Sequence, residues 1–199
     1  MAADGAPEER TTDEELVTKA LAGERDAFRE LFERYRSRAY RVAYRFLGTR
    51  EDSLDVVQEA FIKAYRGLEG FERRAKFRTW LMRIVTNTCL DLRRRGRANS
   101  ATTSLTDEII QMTPQESQPH RREETALDKM AYGELQQALS RALDELSDAH
   151  RTVFVLHTEE GMTYREIAES LGISEGTVMS RLYHARKRLQ KILSNAGVL

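Results

Sequence analysis

Apolar residues recur at spacings of three and four along most of this chain, and Val, Ile and Thr nowhere alternate over the length of a strand. That periodicity predicts helices throughout. Asp13 is expected to cap a first helix that begins "EELVTKAL". In the second, Phe28, Leu31, Phe32, Tyr35, Ala39, Val42, Ala43 and Phe46 share one stripe, and Gly48 is the expected stop. A third helix, from about Ser53, should carry Leu54, Val57, Phe61, Tyr65 and Leu68 inward, and a fourth, from about Phe77, Leu81, Ile84, Val85, Thr88 and Leu92. From Gly96 to about Asp128 the periodicity fails in a stretch rich in Ser, Thr, Gln and Pro, which reads as a linker. The pattern then returns. The expectation is an all-α chain: a disordered tail over 1–12, a helical domain over 13–97, a flexible linker over 98–128 and a second helical domain over 129–199. Domains of this size bury small cores that are marginal alone.

The second domain contains a motif with strong local signals. Thr163 and Glu166 have the spacing of a capping box. Ile167 and Leu171 follow on an inward face, Gly172 suits a tight turn, and Ser174 is a good N-cap for the next helix. That helix should bury Val178, Leu182, Ala185, Leu189 and Ile192, and present Thr177, Ser180, Arg181, His184 and Arg188 on the opposite stripe. A helix, a glycine turn and a second helix with a polar, basic outer face make a helix-turn-helix, whose second helix enters the DNA major groove. An amphipathic hairpin with a merely solvated basic face is the plainer alternative. The cap, the turn and the small polar residues at the helix start favour DNA.

Charge sharpens this picture. The 199 residues carry 32 basic and 32 acidic side chains, yet the signs are segregated. From Thr177 to Leu199 there are five cations and no carboxylate, and "RRRGR" (Arg93 to Arg97) is a second cationic cluster. Such blocks point to separate surfaces for separate partners. On the fourth helix, Arg83, Asn87, Asp91 and Arg94 lie away from the apolar stripe, and Lys76 and Arg78 flank its start. Phe71, Phe77 and Trp80 are interleaved with these cations. Aromatics beside cations hold single-stranded nucleic acid by stacking and phosphate neutralisation, although Trp80 fits a core position better. Asn87 has an amide able to read a base edge. On the third helix Asp52, Asp55, Gln58 and Glu59 form an acidic patch. Two accounts stand side by side: complementing the helix dipole, or docking a basic protein partner.

Other chemistry is excluded. The single cysteine, Cys89, allows no internal disulfide and fits a small buried side chain. The four histidines show no ligand spacing, so neither metal nor cofactor is expected. No P-loop, nucleophile elbow or paired carboxylates suggest an enzyme or a small-molecule substrate. No apolar run approaches the ~20 residues of a membrane span, and the polar, acidic N-terminus is no leader, so a cytoplasmic location is expected.

Two long stretches resemble one known family. "DSLDVVQEAFIKAYRGLEGF" with "FRTWLMRIVTNTCLDLRRR" is similar to region 2 of bacterial extracytoplasmic-function (ECF) sigma factors. "LDELSDAHRTVFVLHTEEGMTYREIAESLGISEGTVMSRLYHARKRLQ" is similar to their region 4. The resemblance implies a region 2 bundle and a region 4 helix-turn-helix that join core RNA polymerase and direct it to promoters, with no hydrolysis of nucleotide. It implies that Asp52, Asp55, Gln58 and Glu59 dock on polymerase. Lys76, Arg78, Arg83, Asn87, Asp91 and Arg94 would recognise the −10 element as it melts, with Asn87 beside a flipped base. Tyr164, Arg165, Thr177, Met179, Ser180, Arg181, Tyr183, His184, Arg186 and Arg188 would face −35 duplex. The linker segment Leu105 to Met112 would thread toward the RNA exit path. An anti-sigma factor is a further implied partner. Met179 and His184 stand where many members carry Lys or Arg, so promoter preference is not transferable. The rival from another class is a stand-alone helix-turn-helix regulator, which has no use for the first domain.

Overall fold

The computed structural model describes residues 11–73, 75–100, 135 and 138–197. Among these there is no strand. Helices α1 (Asp13–Leu21), α2 (Arg25–Leu47), α3 (Arg50–Gly67) and α4 (Phe77–Ser100) form an N-terminal bundle, with a 3₁₀ turn at Leu68–Gly70. Helix α5, described over 138–144, α6 (Asp148–Thr158), α7 (Tyr164–Leu171) and α8 (Glu175–Asn195) form a C-terminal one. The tail over 1–10, most of the expected linker and its Leu105 to Met112 segment lie outside the described residues.

Local chemistry sets the ends. Thr12, not Asp13, caps α1: its hydroxyl accepts from the Glu15 N–H while the Glu15 carboxylate accepts from the Thr12 N–H. Asp13 instead reaches across to α2, accepting from the Arg34 guanidinium at 2.6 Å and from the Tyr35 hydroxyl. Gly48 ends α2 at φ 74°, a left-handed backbone that suits glycine. Thr49 then caps α3, which starts at Arg50, earlier than its apolar pattern suggests.

The stripe on α2 is buried through Leu31, Tyr35, Ala39, Val42, Ala43 and Phe46, while Phe28 and Phe32 are half-buried. Helix α4 seals the bundle with Phe77, Leu81, Met82, Val85 and Cys89. Burial pushes the Cys89 thiol up to about 12, so it stays protonated and inert. On α3 the inward set is Ser53, Val56, Val57, Ala60, Phe61 and Ala64. Leu54 and Tyr65, expected inside, are exposed at 49% and 53%. Apolar residues occupy two faces of α3, and the wider one with the small residues takes the core.

The two bundles are packed against each other. Val153, Val155, Leu156, Met162, Ile167, Ala168, Val178 and Leu182 belong to one apolar cluster with the N-terminal core. A second, smaller cluster of Ala142, Leu143, Leu146, Ala185 and Leu189 lies inside the C-terminal bundle alone. Charged contacts line the joint. The fully buried Arg151 donates at 2.9 Å to the carbonyl of Phe46, in the last turn of α2, and also to the Leu143 carbonyl. Arg93 donates to the same Phe46 oxygen at 2.7 Å and pairs with Asp144 at 3.1 Å. Cations at a helix C-terminus satisfy orphan carbonyls and oppose the helix dipole.

Candidate nucleic-acid and protein interfaces

Helices α7 and α8 have the expected helix-turn-helix geometry. The Thr163–Glu166 capping box is formed in both directions. Gly172 closes α7 at φ 65°, and Ser174 caps α8 by accepting from the Thr177 N–H at 3.1 Å. Val178, Leu182, Ala185 and Leu189 are buried, and Ile192 is half-buried. The exposed ridge opposite them runs through Ser180, Tyr183 and Lys187. Of the expected stripe, Ser180, His184 and Arg188 are exposed and Thr177 and Arg181 half-buried. Arg181 is half-buried, and Arg188 turns sideways to pair with Glu145 at 2.9 Å. The His184 ring sits 6.1 Å from that of His150, whose pKa is lowered by burial and by the neighbouring His184 and Arg181.

On the α7 side, Tyr164, Met179, Leu182, Tyr183, Arg186, Lys187 and Gln190 line a shallow groove. Lys187 was missed from the sequence. Its place in the 180–183–187 series, one residue out of the chosen stripe, was the available signal. Thr177 is half-buried near the Ser174 cap, with the two hydroxyls 2.9 Å apart. Arg165 projects from the first turn of α7 and pairs with Glu169 at 2.9 Å.

The outer face of α4 keeps Arg83 and Asn87 exposed, with no partner among the described residues. One turn on, Arg94 lies 3.5 Å from Asp91, a loose exposed pair that costs little to break. Lys76 and Arg78 are placed differently. Both reach the C-terminal bundle, Lys76 at 3.7 Å from Glu166 and Arg78 donating to the Glu160 carbonyl at 3.2 Å. The aromatics Phe71, Phe77 and Trp80 pack on each other, with ring centroids 4.9 to 6.1 Å apart. Phe77 is buried and Trp80 half-buried. They form a wall for the start of α4.

On α3 the acidic residues separate into two kinds. Asp52 is half-buried and tied to the Thr49 cap, accepting from its hydroxyl at 2.7 Å. Glu59 pairs with Lys63 at 2.8 Å, and Lys63 also donates to Thr88 of α4. Asp55 and Gln58 are exposed, beside the apolar Leu54, Ile62 and Tyr65. A mixed strip of exposed apolar and acidic side chains has the make-up of a protein interface. The apolar half of it was missed because Leu54 and Tyr65 read as core.

No cluster of His, Cys, Asp or Glu fit to hold a metal occurs among the described residues. No helix among them is long and apolar enough to cross a membrane.

The chain matches two family models in order, sigma-70 region 2 over residues 31–99 and sigma-70 region 4 over residues 136–189. It is 35% identical over 196 residues to the ECF RNA polymerase sigma factor SigM of Mycobacterium tuberculosis strain H37Rv, covering 98% of this chain and 91% of the relative. Among solved structures it is similar to CnrH in complex with the cytosolic domain of CnrY, at TM-score 0.68 and 29% identity, covering 92% of this chain and 97% of that one. It is also similar to the sigma factor RpoE of Bartonella quintana in complex with the anti-sigma factor NepR, at TM-score 0.63 and 26% identity, covering 84% and 96%.

Proposed function

The chain belongs to the ECF family of RNA polymerase sigma factors, and from that premise we propose that it is a promoter-specificity subunit working by binding and not by catalysis. The observation that carries this is the presence of both matched regions with their solvent faces chemically distinct. Region 2 offers α3 for a protein and α4 for a DNA strand, and region 4 offers α8 for duplex.

The α3 strip docks on core RNA polymerase, with Leu54, Ile62 and Tyr65 as its apolar centre and Asp55, Gln58 and Glu59 as its rim. Asp52 contributes chiefly by holding the helix start. On α4, Arg83, Asn87 and Arg94 read and hold the −10 strand, with Asn87 trapping an extruded base whose unstacking costs a few kcal/mol. On α8, Met179, Ser180, Tyr183, His184 and Arg186 read −35 duplex, with Lys187 on phosphate, Thr177 at the helix start, and Tyr164 and Arg165 on the flank from α7. Arg188 is turned toward Glu145, away from the duplex-facing ridge, and Arg181 lies half-buried beside that ridge. The site of action is the cytoplasm, where polymerase and promoter meet. An anti-sigma factor is a further partner, as in the RpoE–NepR complex.

Run-off transcription with purified core polymerase on genomic fragments tests the proposal. The expected outcome is transcripts starting at defined sites that share −10 and −35 sequences. Random starts, or none, would reject it.

A further inference from the structure

Helix α8 opens with an apolar strip that the core does not use. Met179 and Tyr183 are 51% and 61% exposed, and neither belongs to the two apolar clusters of the described residues. Residues four apart lie above one another on a helix face, so the two side chains are continuous. Both line the shallow groove, together with Tyr164 of α7. The rings around them are held by neighbours. Tyr164 lies against His157 with centroids 5.3 Å apart, and Tyr183 meets the His184 ring edge-on at 5.4 Å. A contiguous apolar strip left in water, with polar groups around it, marks a contact surface.

The charges beside the strip select its occupant. Arg186 and Lys187 line the same groove further along α8, and from Thr177 to Leu199 there are five cations and no carboxylate. Such a surface attracts a polyanion. An apolar strip with a cationic flank fits a polyanion that also carries apolar groups. In the major groove of DNA that group is the thymine C5-methyl. The usual readers of purines are missing where they would be needed. Base edges are met by the N-terminal residues of a recognition helix. Between Glu175 and His184 there is no Lys, Asn or Gln, and the one Arg, Arg181, is half-buried. No exposed side chain of these first turns can make the bidentate contacts that identify guanine or adenine.

We propose that Met179 and Tyr183 determine promoter specificity by packing on thymine C5-methyl groups of the −35 duplex. This rests on the duplex-reading role of α8 given above. Four residues of helix advance about 6 Å, close to two base-pair steps of about 3.4 Å. The two side chains therefore meet methyl groups one or two base pairs apart. Met179 is unbranched and polarisable, and moulds to a methyl group. Tyr183 offers a broad ring at small cost in side-chain freedom. Arg186 and Lys187, further along the helix, hold the phosphates. Selection in favour of A·T pairs follows from a group that G·C pairs lack.

Uracil presents the hydrogen-bonding edge of thymine without the methyl, so it isolates the contact. The test uses the full chain assembled with core polymerase. Promoter fragments that give defined starts are rebuilt with deoxyuridine for thymine at one −35 position at a time, on either strand. Affinity is measured by competition against the unmodified fragment. The wild-type chain is expected to lose about three- to fivefold at one or two positions, the scale of one buried methyl. Met179→Ala should bind the thymine fragment more weakly and lose the uracil penalty at one position. Tyr183→Ala should lose it at the other. Both residues are exposed, so these variants should keep the helicity of the parent chain. Equal binding of thymine and uracil forms by the wild-type chain would overturn the proposal, as would a −35 element without A·T pairs. A uracil penalty that survives both substitutions would assign the methyl contact to other residues and overturn it too. In these three cases defined starts leave the promoter function standing. Without defined starts, function and proposal fall together.

Discussion

Regions 2 and 4 solve the same packing problem differently. Region 2 encloses Phe46, Leu31, Leu81 and Met82, with four helices bearing on one apolar interior. Region 4 has the smaller private core, and its largest fully buried side chain is an arginine. Region 2 supplies the Phe46 carbonyl to one terminal nitrogen of Arg151 and α5 of region 4 supplies Leu143 and Asp144 to the other, while Nε has no hydrogen-bond partner among the described residues. Val153, Met162 and Ile167 of region 4 likewise complete a cluster centred on region 2. Region 2 is thus self-contained, and region 4 completes its fold by leaning on a neighbour. The difference matters for the joint, where region 4 depends on region 2 more than the reverse.

The comparison breaks most directly at Arg151. Arg151→Ala should cost about 1–3 kcal/mol, because it leaves the buried Leu143 carbonyl without its donor, while Arg93 still holds the Phe46 carbonyl and Asp144. The loss should fall on region 4. Chemical denaturation followed by circular dichroism is expected to split into two transitions, the later one matching region 2 alone. A single transition at an unchanged midpoint would show that region 4 does not depend on the joint.

What the sequence made legible follows the same division. The helix-turn-helix was readable because its determinants are local: the Thr163–Glu166 box, Gly172, Ser174 and the Val178–Leu182–Ala185–Leu189 stripe all lie within one stretch of chain. Arg151 was not readable, since its key acceptor lies 105 positions away and an arginine inside an apolar helix reads as a solvent position. On α3, the sequence carries apolar residues at 57, 60, 61 and 64 and at 54, 62 and 65, and periodicity does not say which series is inside. That ambiguity hid half of the proposed polymerase surface. The first cap shifted by one residue because Thr12 and Asp13 are both good caps, and Arg34 and Tyr35 across the bundle claim the aspartate.

The DNA-facing helices sharpen the contrast between strand and duplex. Asn87→Ala on α4 should reduce open-complex formation roughly ten- to a hundredfold, the scale of one lost bidentate base contact of about 1–3 kcal/mol. Capture of −35 duplex by the holoenzyme should hardly change, and equal losses in both would remove the strand-reading role. Lys187→Ala on α8 is expected to do the reverse at smaller scale. It should weaken −35 duplex binding about three- to tenfold at low salt and reduce the salt slope by about one, as for a single phosphate contact. Arg188→Ala, by contrast, should leave that slope intact, because Arg188 is turned toward Glu145.

The smallest effect separates the two accounts of the acidic residues on α3. If Asp55 served only the helix dipole, reversing it would lower helix stability by a few tenths of a kcal/mol, since the effect fades beyond the first turn. Asp55 stands in the second turn of α3, exposed and beside Leu54 and Ile62. Asp52, in the first turn, already fills the dipole role through its bonds with Thr49. Asp55→Lys should therefore leave helicity unchanged and lower affinity for core polymerase about two- to fivefold, the scale of an exposed rim charge. Leu54→Ser at the apolar centre should lower it further while costing region 2 little stability. Equal affinities for Asp55→Lys and wild type, measured by fluorescence with core polymerase, would return the residue to the helix and place the docking surface elsewhere on region 2.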